Sequence, residues 1–230
     1  MTGRICAGVA LVAICASACA SSHAGAQPPG QAVPMGRAYS SDRLRQALLT
    51  DLPGFSRVGE PDSGEYGSLK AIENFNRLQQ QVTLDKPQCS NRSKSFAASA
   101  EARSAPAAIA TFAKAGGETA TETLMAISNE TAARQVALRV ADNCRTFRAE
   151  VGGQWSDHQV VEGSRNRIGA GSRAVGVETT SGGTRVKTWY VVLRSHGYLA
   201  TVTLYGPNVT QDEADQAAHA AYAMAEHTLR

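Results

Sequence analysis

Charge of one sign is what this sequence most plainly lacks. Lys+Arg total 23 against Asp+Glu 20, a formal +3, and so even a balance excludes a dedicated nucleic-acid binder. Long hydrophobic runs are missing beyond a single stretch near the N-terminus, and no internal repeat is present. Collagen, coiled coil and polytopic membrane protein are therefore excluded. Catalytic signatures are missing too. There is no G-x-S-x-G elbow and no H-E-x-x-H, and His158, His196, His219 and His227 are scattered with none paired at metal-ligand spacing. Those histidines read as solvated or capping residues. What is there is 230 residues, 43% hydrophobic and 19% charged. That suffices for one ordinary domain plus a tail, or two small domains, with a packed core.

The N-terminus reads as an export signal. Met1-Thr2-Gly3-Arg4 is a short positive region, and Ile5 to Ala18 is a run of small and apolar residues without charge. The run has the length of a signal h-region and is too short to span a bilayer. Ala16-Ser17-Ala18-Cys19 resembles a bacterial lipobox, with Ala16 where the pattern prefers Leu. Small side chains precede the cut, and the thiol of Cys19 takes diacylglycerol as the first residue of the mature chain. The rival is ordinary cleavage after Ala24-Gly25-Ala26. Residues 1–18 are thus read as a lipoprotein signal peptide and 19–40 as a lipid-anchored tether. Gln27-Pro28-Pro29-Gly30-Gln31 and Pro34 give the tether no apolar periodicity. About twenty flexible residues have a root-mean-square span of roughly 25 Å, enough to lift a domain off a membrane surface.

Cysteine usage agrees with export. Of five cysteines, Cys6 and Cys15 leave with the signal and Cys19 takes lipid, so Cys89 and Cys144 remain in the body. A pair in an oxidising compartment is most simply a disulfide, and closing a loop of that length contributes about 4 kcal/mol in the chain-entropy model. Two separate buried thiols are the alternative. A metal site has less support, since no histidine sits at ligand spacing beside either cysteine.

From Ser41 to Arg230 the pattern is that of a single folded domain. Ser41 to Leu49 carries apolar residues at helical spacing behind a Ser or Asp cap, and Leu52-Pro53-Gly54-Phe55 ends it. Ser56 to Asn76 is rich in glycine and charge and gives no clear element. Ala107–Lys114 and Thr119–Ser128 flank Gly116-Gly117 as a hairpin. In Ser128 to Val151, Ala133, Val136, Ala137, Val140, Cys144 and Phe147 recur at three- and four-residue steps, predicting one helix with Cys144 on its apolar stripe. Three strands follow: Ser172–Thr180, Thr184–Ser195 and Tyr198–Gly206. The middle one is apolar on both sides, as expected of a central strand covered on both faces or one whose second face floors a pocket. Thr210-Gln211-Asp212-Glu213 is a capping box opening a helix to Leu229. The order argues an α+β domain, an antiparallel sheet with helices packed on it and one disulfide.

Several of these features together resemble a family of actinobacterial envelope lipoproteins related to the extracellular sensor domain of PknH-type mycobacterial serine/threonine kinases. The residues that carry the likeness are the short helix leading into Asp51-Leu52-Pro53-Gly54-Phe55, Cys89, Asp142-Asn143-Cys144, the Arg194-Ser195-His196-Gly197-Tyr198 turn and the Ala-rich closing helix. Arg outnumbers Lys 18 to 5 and Ala is abundant, as GC-rich genomes tend to produce. The resemblance implies a secreted α+β domain with a cleft for an unidentified ligand. The kinase sensor domain carries two disulfides, and this chain can supply only one. No kinase is present: Gly-rich loop, catalytic Asp and Mg²⁺ ligands are missing.

Weaker motifs have plainer readings. Gly169-Ala170-Gly171-Ser172-Arg173-Ala174 matches a dinucleotide fingerprint but leads into a strand instead of a helix, so it reads as a loop. Gly182-Gly183-Thr184-Arg185-Val186-Lys187-Thr188 lacks the glycine a phosphate loop needs before its lysine and reads as a hairpin turn. Asp212, Glu213 and Asp215 complement a helix dipole. Arg165, Arg167 and Arg173 form a candidate patch for anionic envelope lipids or glycans, against the simpler reading of a solvated loop. Trp155, Trp189 and Tyr190 are candidates for a pocket wall, against core packing.

The sequence thus implies a lipid-anchored, extracytoplasmic binding or sensing module on the outer face of the cell membrane, or a secreted one if Cys19 is not modified. It carries no catalytic residue, metal or cofactor, its partners are the membrane and a small-molecule, lipid or glycan ligand, and its ligand-binding residues are not singled out. A secreted hydrolase with a dispersed site would instead place a nucleophile beside His158 or His196. A structural partner in an envelope complex would expose a large apolar patch.

Overall fold

The computed structural model describes residues 39–89, 96–163 and 167–230. The signal sequence, Cys19, most of the tether and Arg165 lie outside the described residues.

Ser40 caps helix α1, Ser41–Gln46, by accepting the amide of Arg43. The stretch without a clear sequence signal holds short strands β1, Ser56–Arg57, and β2, Asp62–Glu65, then a helical turn at Tyr66–Ser68 and helix α2, Lys70–Gln79. Strand β3, Thr83–Leu84, and a short turn at Pro87–Cys89 follow. Helix α3, Ala100–Ser104, leads into the expected hairpin of β4, Pro106–Ala113, and β5, Thr119–Met125.

The helix expected over Ser128 to Val151 is corrected. Helix α4 covers only Asn129–Ala137, capped by Ser128. Cys144 lies in a separate turn, Asp142–Cys144, and not on a helical stripe. Thr146–Val151 is strand β6, paired with β7, Gln154–Glu162, across Gly152-Gly153. The physical reason is that Phe147 and Ala149 alternate with Thr146 and Arg148. Pairing places them beside His158 and Ser156 of β7, a burial that local helical spacing does not register. The meander then runs as the sequence indicates: β8, Gly171–Ser181, β9, Thr184–Ser195, and β10, Tyr198–Gly206. Helix α5, Gln211–Leu229, opens on the capping box of Thr210 and Glu213.

Among the described residues the strands form one antiparallel sheet in the order β1-β4-β5-β10-β9-β8-β7-β6-β3, with β2 also on β4. Cross-strand partners share a face. One face presents Ala108, Ala110 and Phe112, then Ala120, Glu122 and Leu124, then Ala200, Val202 and Leu204, then Val191 and Leu193, all buried beneath α1 and α5. The small residues of α5, Ala214, Ala217, Ala218, Ala221 and Ala225, let it lie close on the strands. On the opposite face a second cluster joins Leu69, Ala102 and Ala132 to Ala107, Ile109, Met125 and Leu199. Among the described residues that cluster covers one end of the opposite face, where Ile109 belongs to it and Val192 packs against it, and leaves the middle uncapped. Cys89 and Cys144 are disulfide-bonded, tying the turn after β3 to the turn before β6.

Candidate functional site

The uncapped middle follows from alternation in the strands. In β5 the residues Thr119, Thr121 and Thr123 alternate with buried Ala120, Glu122 and Leu124; in β10 Thr201, Thr203 and Tyr205 alternate with buried Val202 and Leu204. The register turns these into rows across four strands. One row is Thr111, Thr121, Thr203 and Tyr190, flanked by Ala113, Thr119, Tyr205 and Thr188 on one side and Ile109, Thr123, Thr201 and Val192 on the other. At a strand spacing of about 4.8 Å the floor is about 14 Å wide.

Most of this floor is half-buried, neither solvent-swept nor sealed. Apart from its two tyrosines it carries no ionisable side chain. The hydroxyls of Thr111, Thr119, Thr121, Thr123, Thr201 and Thr203 have no hydrogen-bond partner among the described residues. Burial pushes the Tyr190 phenol up to about 12, against the lowering effect of its hydrogen bond with Thr188. At the β4 end the floor runs into a recess of about 530 Å³ walled by Lys70, Ala71 and Asn74 of α2 and by Val58, Glu60 and Asp62. The sequence reading did not single out this floor; the period-two threonines of β5 and β10 are the signal that could have found it.

A second concavity, about 410 Å³, lies over β6–β8 on the face that α1 and α5 cover farther along. Its charges are already paired. Arg148 sits 3.3 Å from Asp157 and stacks over Trp155 at 5.0 Å, Arg185 lies 3.3 Å from Glu178, and Lys86 donates to the carbonyls of Asn143 and Thr146. A ligand there would have to displace these pairs.

His158 differs from its expected role as a solvated or capping residue. It is 2% exposed, stacks on Phe147 at 4.8 Å, and has Ser156 Oγ 2.8 Å from Nε2 and Thr179 Oγ1 3.0 Å from Nδ1. Burial pulls its pKa down to about 4, against the raising effect of Asp157 and Asp85. The register with β6 and β8 makes an apolar ring partner and a hydroxyl cheaper for this imidazole than solvent. His196, His219 and His227 are exposed, as read from the sequence.

Other candidates are not brought together. Asp212 and Glu213 lie in the first turn of α5, whereas Asp215 is buried and accepts from Gln211. Arg173 is paired with Glu162 at 3.2 Å, and Arg167 meets no described partner that would make a patch. Trp155 is 40% exposed, so core packing fails for it, while Trp189 packs on the α5 side. The Gly169 loop is pinned to β9, where Ala170 donates to the carbonyl of Arg194. Among the described residues no three His, Cys, Asp or Glu side chains gather as a metal site.

No protein-family model and no curated protein matches the sequence. Solved structures do. The extracellular domain of PknH from Mycobacterium tuberculosis superposes with a TM-score of 0.57 at 12% identity, over 84% of this chain and 98% of that one. An uncharacterised Mycobacterium smegmatis protein, the Rv0999 ortholog, gives 0.43 at 14% identity over the same shares. At such identity the likeness is one of fold, and the fold of this chain is that of a PknH-type extracellular domain.

Proposed function

We propose that the chain is a non-catalytic binding or sensor-like domain of the bacterial envelope, held on the outer face of the cell membrane through lipid on Cys19, with the threonine-lined floor as its ligand site. The observation that carries it is the asymmetry of the sheet. Over β4, β5, β10 and β9 one face is buried by α1 and α5, and the other keeps a neutral, half-buried floor whose hydroxyls have no partner among the described residues. Ligand sites are concave and furnished with a few polar groups, and at its β4 end this floor opens into the recess of about 530 Å³ through Ile109 and Thr111. The disulfide supports an oxidising compartment, and the fold is shared with an extracellular domain. Ala16-Ser17-Ala18-Cys19 supports the anchor. Two or more acyl chains would hold the protein where one would not. Mass spectrometry of the mature protein from membrane fractions tests the anchor: diacylglyceryl-Cys19 is expected, and an unmodified N-terminus at Gln27 would replace anchoring with secretion.

One observation favours a hydrolase, the 2.8 Å contact of Ser156 with His158. Three features weigh on the other side. Both residues are buried on one face of β7. The second ring nitrogen meets the Thr179 hydroxyl, where a triad would place a carboxylate. An imidazole pulled down to about 4 is also a weak general base at neutral pH. Labelling of Ser156 by a fluorophosphonate probe would establish the hydrolytic reading; an unlabelled protein supports binding.

A further inference from the structure

We infer that the floor binds an uncharged, polyhydroxylated chain, a neutral oligosaccharide laid across strands β4, β5, β10 and β9. The inference rests on the reading of that floor as the ligand site and adds the chemistry of its occupant.

Three observations select this chemistry. First, the three rows contain no Lys, Arg, Asp, Glu or His. Charges border the rows at their ends, with Glu60, Asp62 and Lys70 at the β4 recess and Arg173 paired to Glu162 beyond Val192. An anionic headgroup or a cation laid across the rows would therefore lose water without gaining a counter-charge from them. Second, an acyl chain or apolar peptide would cover the hydroxyls of Thr111, Thr121, Thr203 and their neighbours, which have no partner among the described residues. A buried polar group without a partner is penalised, so an apolar occupant fits poorly. A hydroxyl both donates and accepts, and a ligand built of hydroxyls satisfies such a surface in either sense. Third, Tyr190 and Tyr205 stand half-buried among the threonines. Their rings offer apolar surface to sugar C–H groups while their phenols stay within the polar array. Within a row the side chains repeat at the strand spacing of about 4.8 Å, a length comparable with one pyranose ring, so successive sugars laid along a row can meet equivalent groups.

The test uses the full-length protein in phosphatidylcholine nanodiscs, read against empty nanodiscs. Maltohexaose, cellohexaose and mannohexaose are titrated by calorimetry beside dextran sulfate and the fluorescent fatty acid cis-parinarate. At least one neutral hexasaccharide is expected to bind in the micromolar to millimolar range, with no binding of the other two probes. Combining Thr121→Val with Thr203→Val removes two hydroxyls at nearly constant shape and is expected to weaken binding about tenfold. Thr121→Ser with Thr203→Ser is expected to retain it, and Thr146→Val on the opposite face to leave it unchanged. Binding of dextran sulfate or cis-parinarate alone, lost in Tyr190→Ala, would overturn the ligand class while leaving the floor as the site. Hexasaccharide binding insensitive to the double valine variant would overturn the placement. Failure of every probe to bind would overturn the inference and remove the floor's support as a ligand site.

Discussion

The side chain of Glu122 and the backbone of Leu49 meet 2.7 Å apart inside the core, where Oε2 accepts the Leu49 amide. Arg57 Nη2 donates to the carbonyl of the same residue. One residue just past α1 is thereby gripped at both its amide and its carbonyl, by an acid from β5 and a base from β1. The grip is incomplete: Glu122 Oε1 and Arg57 Nε are buried without hydrogen-bond partners. Burial pushes Glu122 up to about 7, against the lowering effects of the Leu49 amide and Arg57.

Glu122 and His158 should give opposite pH dependences. Between its ordinary 4.5 and about 7 the folded protein holds the Glu122 proton that the unfolded chain has released. Stability from this group therefore falls as pH rises through that window. Between about 4 and 6.5 the unfolded chain binds the His158 proton and the folded one does not, so stability from His158 rises with pH. Each gap corresponds to about 3 kcal/mol at most. In urea unfolding across pH 4–7 (about the span of both windows), Glu122→Gln should steepen the rise with pH and His158→Gln should expose a fall. Other titrating groups contribute equally to parent and variants. Parallel profiles for parent and Glu122→Gln would show that Glu122 titrates normally in the folded state.

Ser156 should matter for stability. Its hydroxyl meets His158 Nε2 and the carbonyl of Ala149, and Ser156→Ala leaves a buried imidazole nitrogen without that partner. The expected loss is about 1–3 kcal/mol, measured by urea unfolding at neutral pH. A loss near zero would mean that the imidazole finds water or another partner.

The disulfide closes a separation of 55 residues. Cys89→Ser with Cys144→Ser should lower stability by up to about 4 kcal/mol on the chain-entropy model, with less if the reduced chain stays compact. Strand β3 has only two residues, paired with Glu150 and Ala149. Its amides should therefore lose protection first. Hydrogen exchange of Thr83 in β3 and of Asp85 just after it, whose amide donates to the Arg148 carbonyl, in oxidised and reduced protein checks this, and equal protection in both would show that β3 is held without the bond.

The contrast between legible and hidden parts of this fold is one of range. The β8–β10 meander is written locally, in alternating apolar residues and turns such as Ser181-Gly182-Gly183. The capping box of α5 is local too. Around Cys144 the local pattern misleads, because Val136, Val140, Cys144 and Phe147 fit a helix while Phe147 and Ala149 equally fit a strand. The choice falls to partners 11 and seven residues away, His158 and Ser156. The floor went unread: Thr119, Thr121 and Thr123 alternate in the sequence, but only register shows that they line up with Thr203, Thr201 and Tyr190. His158 was hidden for the same reason, since nothing adjacent in sequence announces the ring of Phe147 above it.

Gly176 offers a test of close packing on the α5 side of the sheet. It pairs with Trp189, and a Cβ there would lie 2.9 Å from the indole ring. Its backbone φ is not in the left-handed region, so Gly176→Ala isolates the clash. The ring must shift or the strands part, at a cost of about 1–3 kcal/mol for overpacking. Gly182→Ala is the contrast: φ is +55° but the space beside it is open, so its cost is the left-handed backbone alone, roughly 1–2 kcal/mol. Fluorescence separates the two mechanisms in a Trp155→Phe background, where Trp189 is the remaining tryptophan. Gly176→Ala should move its emission and Gly182→Ala should not. An unmoved emission in Gly176→Ala would mean that the indole stays in place and the β8 backbone gives way.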